Sequence, residues 1–486
     1  MAMLAKLVLS AGMALPLLLA AQQLTPEMAS HARLAQDAER RNDFSTAVRE
    51  YRQLARMLPG SAEVQSNLGV ALYFDHELRS SIAAFHRAMA IDPGLMAPHL
   101  FSGLAWYQLS KPDAAVPELE KAVRIKATDP IAHTWLGYAY SSQTHYDAAV
   151  KQFEAASRLD PNNVDAWYSL GNAWLQIGQQ ATLRLLALAP DGGRVWELAG
   201  EQCLLRQDLR GALDDFKHAL ARRPELAELK TKIEEAGGTA DAASSVEHSG
   251  KDHSAEDELY KQAHAAEIQS HAAFEHVLQA ASDSYRAHQI MAEIYVSEKQ
   301  DGNAISEYRE VLQLKPDLHG IHEALGEALI RSGNLPAGLK EFEEEIELQP
   351  YSASAHMNAG RALLMLGRDD DAGKMLNAAL AMDRPPLETW LLIGKLDVRQ
   401  RNYRDAIARL VHYTSQEKNN STAYFLMAMA YRSLGEKDQM NRAIAQYKKT
   451  SIDAKERSTA QRELKPMEER SDADEQAISG GQHSLK

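Results

Sequence analysis

Histidine is the residue type best suited to chemistry in this sequence. Eighteen are spread over 486 residues, and imidazole both binds metals and moves protons near neutral pH. Spacing decides what they are for. His31, His99, His133, His288, His322 and His356 fall at one position of a 34-residue period, and Trp167, Trp196 and Trp390 take that position elsewhere. A position that accepts either ring is a packing solution, not a ligand set. His319 and His322 stand one helical turn apart, yet no third ligand follows in the spacing a zinc site needs. His264, His271 and His276 are the cluster on which a metal-dependent enzyme would have to be built, and they too lack that spacing. The sequence therefore predicts no metal site and no cofactor. No Gly-x-Ser-x-Gly elbow, phosphate-cradling glycine loop or His-Glu-x-x-His helix occurs. Cys203 is the single cysteine, which excludes an intrachain disulfide and any multi-cysteine cluster. The carboxylates of 341–347 read as a solvated helix face, and Asp369 to Asp371 as a helix start, where negative charge is favourable. None of these sets is catalytic.

The elements that carry these residues repeat. Gly69, Gly103, Gly137 and Gly171 are 34 apart, as are Gly326, Gly360 and Gly394. Ala149, Phe153 and Pro161 follow Gly137, and the same order recurs along the chain as Ala212, Phe216 and Pro224, and as Ala304, Tyr308 and Pro316. Glycine in a first helix and alanine in a second let two antiparallel helices approach closely. The aromatic four residues after the alanine shares its face and fills the space toward the next unit. Proline lacks an amide donor and ends the second helix. One such hairpin cannot bury its apolar face alone, so neighbours must stack.

This pattern resembles the tetratricopeptide repeat, a helix–turn–helix family. The resemblance implies an all-α fold of two helix-hairpin solenoid arrays, each a right-handed superhelix, joined by a linker. Units start at 28, 62, 96, 130, 164 and 193, and again at 256, 285, 319, 353, 387 and 421. The units at 164 and 256 are only 29 residues long and align with each other at an offset of 92, which matches Tyr168 to Tyr260, Ala181 to Ala273 and Arg194 to Arg286. A longer helix or an altered turn is expected at both. The predicted organisation is a first array over 28–226 with a capping helix to about 236, a flexible linker over 237–255, a second array over 256–450 and a polar tail over 451–486. Residues 1–21 read as a secretory signal peptide, with Lys6 as the only charge before an apolar run from Leu7 to Leu19. A retained anchor is the alternative, although the run is short for a bilayer. Export to a periplasm or the extracellular space follows, with no stable membrane insertion after cleavage.

In the resembled family the first helices line a concave groove. Carrying its groove positions over places Tyr73, Phe74, Tyr107, Tyr138, Tyr168 and Asn172 on a first, aromatic surface. A second surface pairs Met357, Leu391 and Phe425 with Arg361, Lys395, Arg399 and Arg432. Aromatics suit an extended or helical peptide, and cations beside an apolar stripe suit an acidic one. With 53 Lys and Arg against 67 Asp and Glu, the net charge of −14 argues against nucleic acid as partner. The expected function is a non-enzymatic protein–protein scaffold of the cell envelope. The alternatives are a self-assembling repeat protein and an enzyme built on the histidines near 264–276.

Overall fold

The computed structural model describes residues 25–205, 208–239, 253–382 and 384–464. The signal-peptide reading of 1–21, most of the linker and the end of the tail lie outside the described residues. Among the described residues the fold is all-α, as expected, with no strand. No helix among the described residues is long and apolar enough to cross a membrane.

The first four hairpins follow the 34-residue period. They are α1 (Pro26–Arg40) with α2 (Phe44–Met57), α3 (Ala62–Phe74) with α4 (Leu78–Ile91), α5 (Met96–Gln108) with α6 (Pro112–Ile125), and α7 (Pro130–Ser142) with α8 (Tyr146–Leu159). Then come α9 (Val164–Leu188), the hairpin α10 (Gly193–Leu205) with α11 (Leu209–Arg222), α12 (Glu228–Glu235) and α13 (Ser254–Ala280). Five further hairpins complete the described residues: α14 (Tyr285–Ser297) with α15 (Asp301–Leu314), α16 (Ile321–Arg331) with α17 (Leu335–Leu348), α18 (Ala353–Met365) with α19 (Asp369–Leu380), α20 (Leu387–Arg399) with α21 (Tyr403–Gln416), and α22 (Ser421–Leu434) with α23 (Lys437–Leu464).

Three contacts build each hairpin. A Cβ at Gly137 would lie 2.5 Å from Phe153, so only glycine lets that ring seat against the first helix. Phe153 is 1% exposed, and burying such a ring contributes roughly 2–3 kcal/mol. The fourth residue braces the hairpin from its other side. His99 Nδ1 lies 2.6 Å from Glu118, His133 2.8 Å from Gln152, and His288 and His322 2.7 Å from Glu307 and Glu341. In the tryptophan units a histidine ring replaces that bond, with Trp196 4.5 Å from His218 and Trp390 4.1 Å from His412. The histidines are thus packing residues. The turn itself needs one left-handed residue, found at Asn42, His76, Ser110 and Thr144 and again at Lys299, Gly333, Gly367, Arg401 and Gly435, always the fifteenth of its unit.

That turn is missing at 164 and 256, where α9 and α13 run unbroken for 25 and 27 residues. A straight helix cannot fold back on itself, so each half pairs elsewhere. A Cβ at Gly171 would lie 2.6 Å from Phe274, and Trp167 stacks 4.1 Å from His276. The ordinary partners are 16 and 22 positions on, as in Gly137–Phe153 and Trp390–His412; here they are 103 and 109 on, so the same 87 residues are interposed in both pairs. The compact units divide accordingly. One holds residues up to 174 with 270–351, the other 175–269 with 352–486. This differs from a boundary at the 237–255 linker, because α9 and α13 each contribute one half to each unit.

Within the first unit, Tyr168, Val277, Ala287 and Ile290 share a core. Arg286 closes it, with its guanidinium 4.4 Å from the Tyr168 ring and Nε 2.7 Å from Asp165. Within the second, Ala181, Leu185, Val195 and Leu198 pack with Tyr260 and Ala263. Arg194 lies 4.4 Å from the Tyr260 ring and 2.6 Å from Asp257. Leu229 and Ile233 of α12 are fully buried against this unit, so the predicted capping helix is anchored by one apolar face.

Two outcomes follow for stability. Arg286→Ala leaves Asp165 short of its main counter-charge and is expected to cost about 2–4 kcal/mol in urea unfolding; a loss under ~1 kcal/mol would show that the pair does not hold the exchanged helix. Glu39 is buried, and burial lifts its carboxyl from 4.5 to about 7 despite the hydrogen bond from Tyr51. A carboxyl raised on folding contributes stability that is complete below the unfolded value and is lost as pH rises through the folded one. Glu39→Gln should therefore gain about 1–3 kcal/mol over the parent at pH 8 and little at pH 4, read from paired denaturation curves.

Candidate functional site

The first helix of each unit presents three residues one turn apart, at its fifth, ninth and thirteenth positions, along one face. Where the next unit covers that face it becomes core, and where it does not the residues remain available. The structure sorts the predicted residues on this basis.

Most of the aromatic surface is interior. Tyr73 is fully buried and Phe74 is 8% exposed. Phe74 stacks on Phe44 at 4.9 Å, and Tyr73 meets Phe101 edge-on at 5.5 Å. Tyr168 is buried under Arg286, donates to Glu293 and accepts from Gln289 Nε2 at 2.6 Å. These three are therefore not groove residues, since each is enclosed by the helices packed against it. Asn172 is half-buried and donates to the Tyr168 carbonyl of its own helix at 3.3 Å. Tyr107 and Tyr138 stay partly exposed, 6.5 Å apart, with Trp135 5.7 and 5.4 Å from them. Burial, with a contribution from Asp165, pushes the Tyr138 hydroxyl up to about 12, so it stays protonated. Sequence reasoning passed over Phe101 and Trp135. They sit 34 apart at the sixth position and intercalate behind the twelfth-position tyrosine of the unit before.

The second predicted surface lies on α18, α20 and α22, within one compact unit, and these three helices touch in succession. Met357 is 7% exposed and belongs to the interior, a correction to its place on the surface. Leu391 is half-buried in the core of α20 to α23. Arg361 is half-buried beside Asn358 and 3.7 Å from Glu388. Arg399 is exposed but engaged, donating to the Leu364 carbonyl at 3.2 Å and lying 2.9 Å from Asp369 as an ion pair. Lys395 and Arg432 are exposed with no ion-pair partner among the described residues. Phe425 is 49% exposed with its ring 5.7 Å from Tyr447. Met429, one turn on along α22, and Tyr447 are 42% and 37% exposed, Met365 at the end of α18 is 54% exposed, and sequence reasoning named none of them.

The signals for these were present. Met429 is the ninth residue of its unit, as Arg361 and Lys395 are of theirs, and Met365 the thirteenth, like Arg399. Local charge also sets the region apart. Residues 353–450 hold 15 Lys and Arg against 10 Asp and Glu, a balance of +5 inside a chain of −14. An exposed apolar stripe with unpaired cations on a basic segment can bind an acidic, partly apolar polypeptide. It offers no nucleophile–base pair.

Tetratricopeptide-repeat models match residues 32–96, 323–385 and 285–318, and a TPR-repeat model matches 142–178. The chain carries tetratricopeptide repeats. Among solved structures, MamA protein is 18% identical over 42% of this chain and 94% of its own, with a TM-score of 0.30. MamA from Desulfovibrio magneticus RS-1 is 16% identical over 42% of this chain and 99% of its own, with a TM-score of 0.30. The anaphase-promoting-complex hetero-tetramer Cut9–Hcn1 is 12% identical over 88% of this chain and 94% of its own, with a TM-score of 0.35. No curated protein matches.

The division between core and surface has a direct check. Tyr73→Ala should cost about 3–5 kcal/mol in chemical denaturation, as truncation of a buried aromatic does. Phe425→Ala should cost under ~1 kcal/mol. Equal costs would mean that Phe425 is structural and the surface is misassigned.

Proposed function

We propose that this chain is a non-enzymatic protein–protein interaction scaffold of the cell envelope. It holds an acidic, partly apolar segment of a partner on the first-helix face of α18, α20 and α22. The observation that carries the reading is the coincidence of half-exposed Phe425 and Met429 with unpaired Lys395 and Arg432 on one basic segment. Apolar side chains of this size left in water favour burial by a partner. The free cations select an acidic partner and steer its approach. The tetratricopeptide repeats support the scaffold class. The envelope location rests on the pattern of residues 1–21, and export is part of the same proposal.

The test is affinity capture from an envelope extract with the chain from residue 22 onward, beside a bait carrying Phe425→Ser, Lys395→Glu and Arg432→Glu. A partner recovered by the parent and reduced at least tenfold by the variant, with an unchanged melting curve, is the expected result. Capture that weakens as salt rises would match the electrostatic part. Equal recovery by both baits would remove this face as the site. A concentration-dependent mass in light scattering that the triple variant abolishes would assign the face to self-assembly instead.

A further inference from the structure

The exchange that pairs α13 with α10 inside the second unit brings together three side chains from stretches 63 residues apart and more. Glu201 lies on α10, and His264 and Glu267 lie one turn apart on α13. One donor atom from each falls within 4.8 Å of the others. We propose that Glu201, His264 and Glu267 form a binding site for a zinc-class divalent cation that clamps α10 to α13.

The surroundings fix each ligand while one donor atom of each stays within reach of the others. Glu201 Oε1 takes Lys232 Nζ at 2.5 Å and the Tyr260 hydroxyl at 2.8 Å, so Oε2 is turned toward His264 Nδ1 at 3.2 Å. The His264 ring stacks parallel on Tyr260, with centroids 5.7 Å apart and planes at 12°, which sets the plane in which Nδ1 points. Glu267 has one oxygen held by Gln202 Nε2 at 2.6 Å. Partners of this kind, which hold the back of each ligand, orient metal sites generally. Charge balance points the same way. Lys232 is the one cation in contact with Glu201 among the described residues, and it is shared with fully buried Glu197. The partner of Glu267 is a neutral amide.

The chemistry selects the ion. One imidazole nitrogen with two carboxylates suits zinc and its neighbours in the first transition row, whereas calcium and magnesium take oxygen ligands alone. Three protein ligands leave a fourth position, and the part-exposed His264 side of the cluster admits a water there. The ligand set is confined to one of the two long-helix copies. At the offset of 92, Glu293 answers Glu201, but Asn172 answers His264 and Leu175 answers Glu267.

That internal comparison supplies the variant. His264→Asn with Glu267→Leu installs the residues of the other copy, which the same helix geometry already accepts. The full chain, stripped with a chelator, is titrated with zinc chloride in a calorimeter and melted with and without zinc, with magnesium and calcium as separate arms. One equivalent of zinc bound, a higher melting temperature with zinc and at least tenfold weaker binding by the double variant are expected. The metal-free melting curve of the variant should match that of the parent. No saturable uptake would overturn the proposal. So would equal uptake by the variant, uptake lost only when His319 and His322 are replaced, or magnesium binding as tightly as zinc.

Discussion

The absence of one turn governs this fold. In an ordinary unit a single left-handed residue lets the second helix fold back, so that the aromatic of one helix reaches the glycine of the other. Where five residues are lost, α9 and α13 run straight through the place where that residue would stand. The apolar faces of the two halves then point the right way for a hairpin they can no longer make. Both must be buried, because an exposed face of that length costs several kcal/mol. Each copy supplies what the other lacks. Gly171 receives Phe274, and Ala181 and Leu185 receive Tyr260 and Ala263. This is a domain swap in which both partners belong to one chain.

Electrostatics reinforce the exchange in a way that packing alone does not. Arg286 and Arg194 are equivalent residues, and each sits over the tyrosine and beside the aspartate at the start of the opposite long helix. Burial raises the Asp165 carboxyl, and the charges of Arg286 and Lys315 more than reverse that rise, leaving it below its usual range. A buried guanidinium that fills its donors with a carboxylate and a ring face is specific to one arrangement. Removing either partner would leave the other charge unsatisfied in a low-dielectric setting.

Much of this was legible in the sequence, and the limits have physical causes. The 34-residue period, the packing role of the histidines and the all-α class follow from local spacing, and local spacing decides local structure. The offset of 92 was visible too, and it matched Arg194 to Arg286 and Tyr168 to Tyr260. What it did not reveal is that Arg286 meets Tyr168 and Arg194 meets Tyr260. Partner choice between two equal copies is a long-range outcome, set by which hairpin can close and not by any residue type. The same limit explains Glu201 and His264. Histidines at 264, 271 and 276 were grouped because they are near in sequence, yet His276 is spent on Trp167 and the ligand that joins His264 comes from α10.

The groove positions show where a family pattern stops predicting. The twelfth residue is buried in Tyr73 and only partly covered in Tyr107, although both occupy one place in the repeat. The difference lies in the neighbour. Tyr73 meets Phe74 and Phe101 edge-on, and Phe74 in turn stacks on Phe44. At the other end, Phe425 has Tyr447 of the last described helix beside it, and no further repeat follows among the described residues. A position in a repeat therefore specifies a direction, and its burial depends on what the next unit brings to meet it. A stacked array spends its aromatic residues on its own interior wherever another repeat follows. On the last first-helix face among the described residues, Phe425, Met429 and Arg432 stay exposed to act on another molecule.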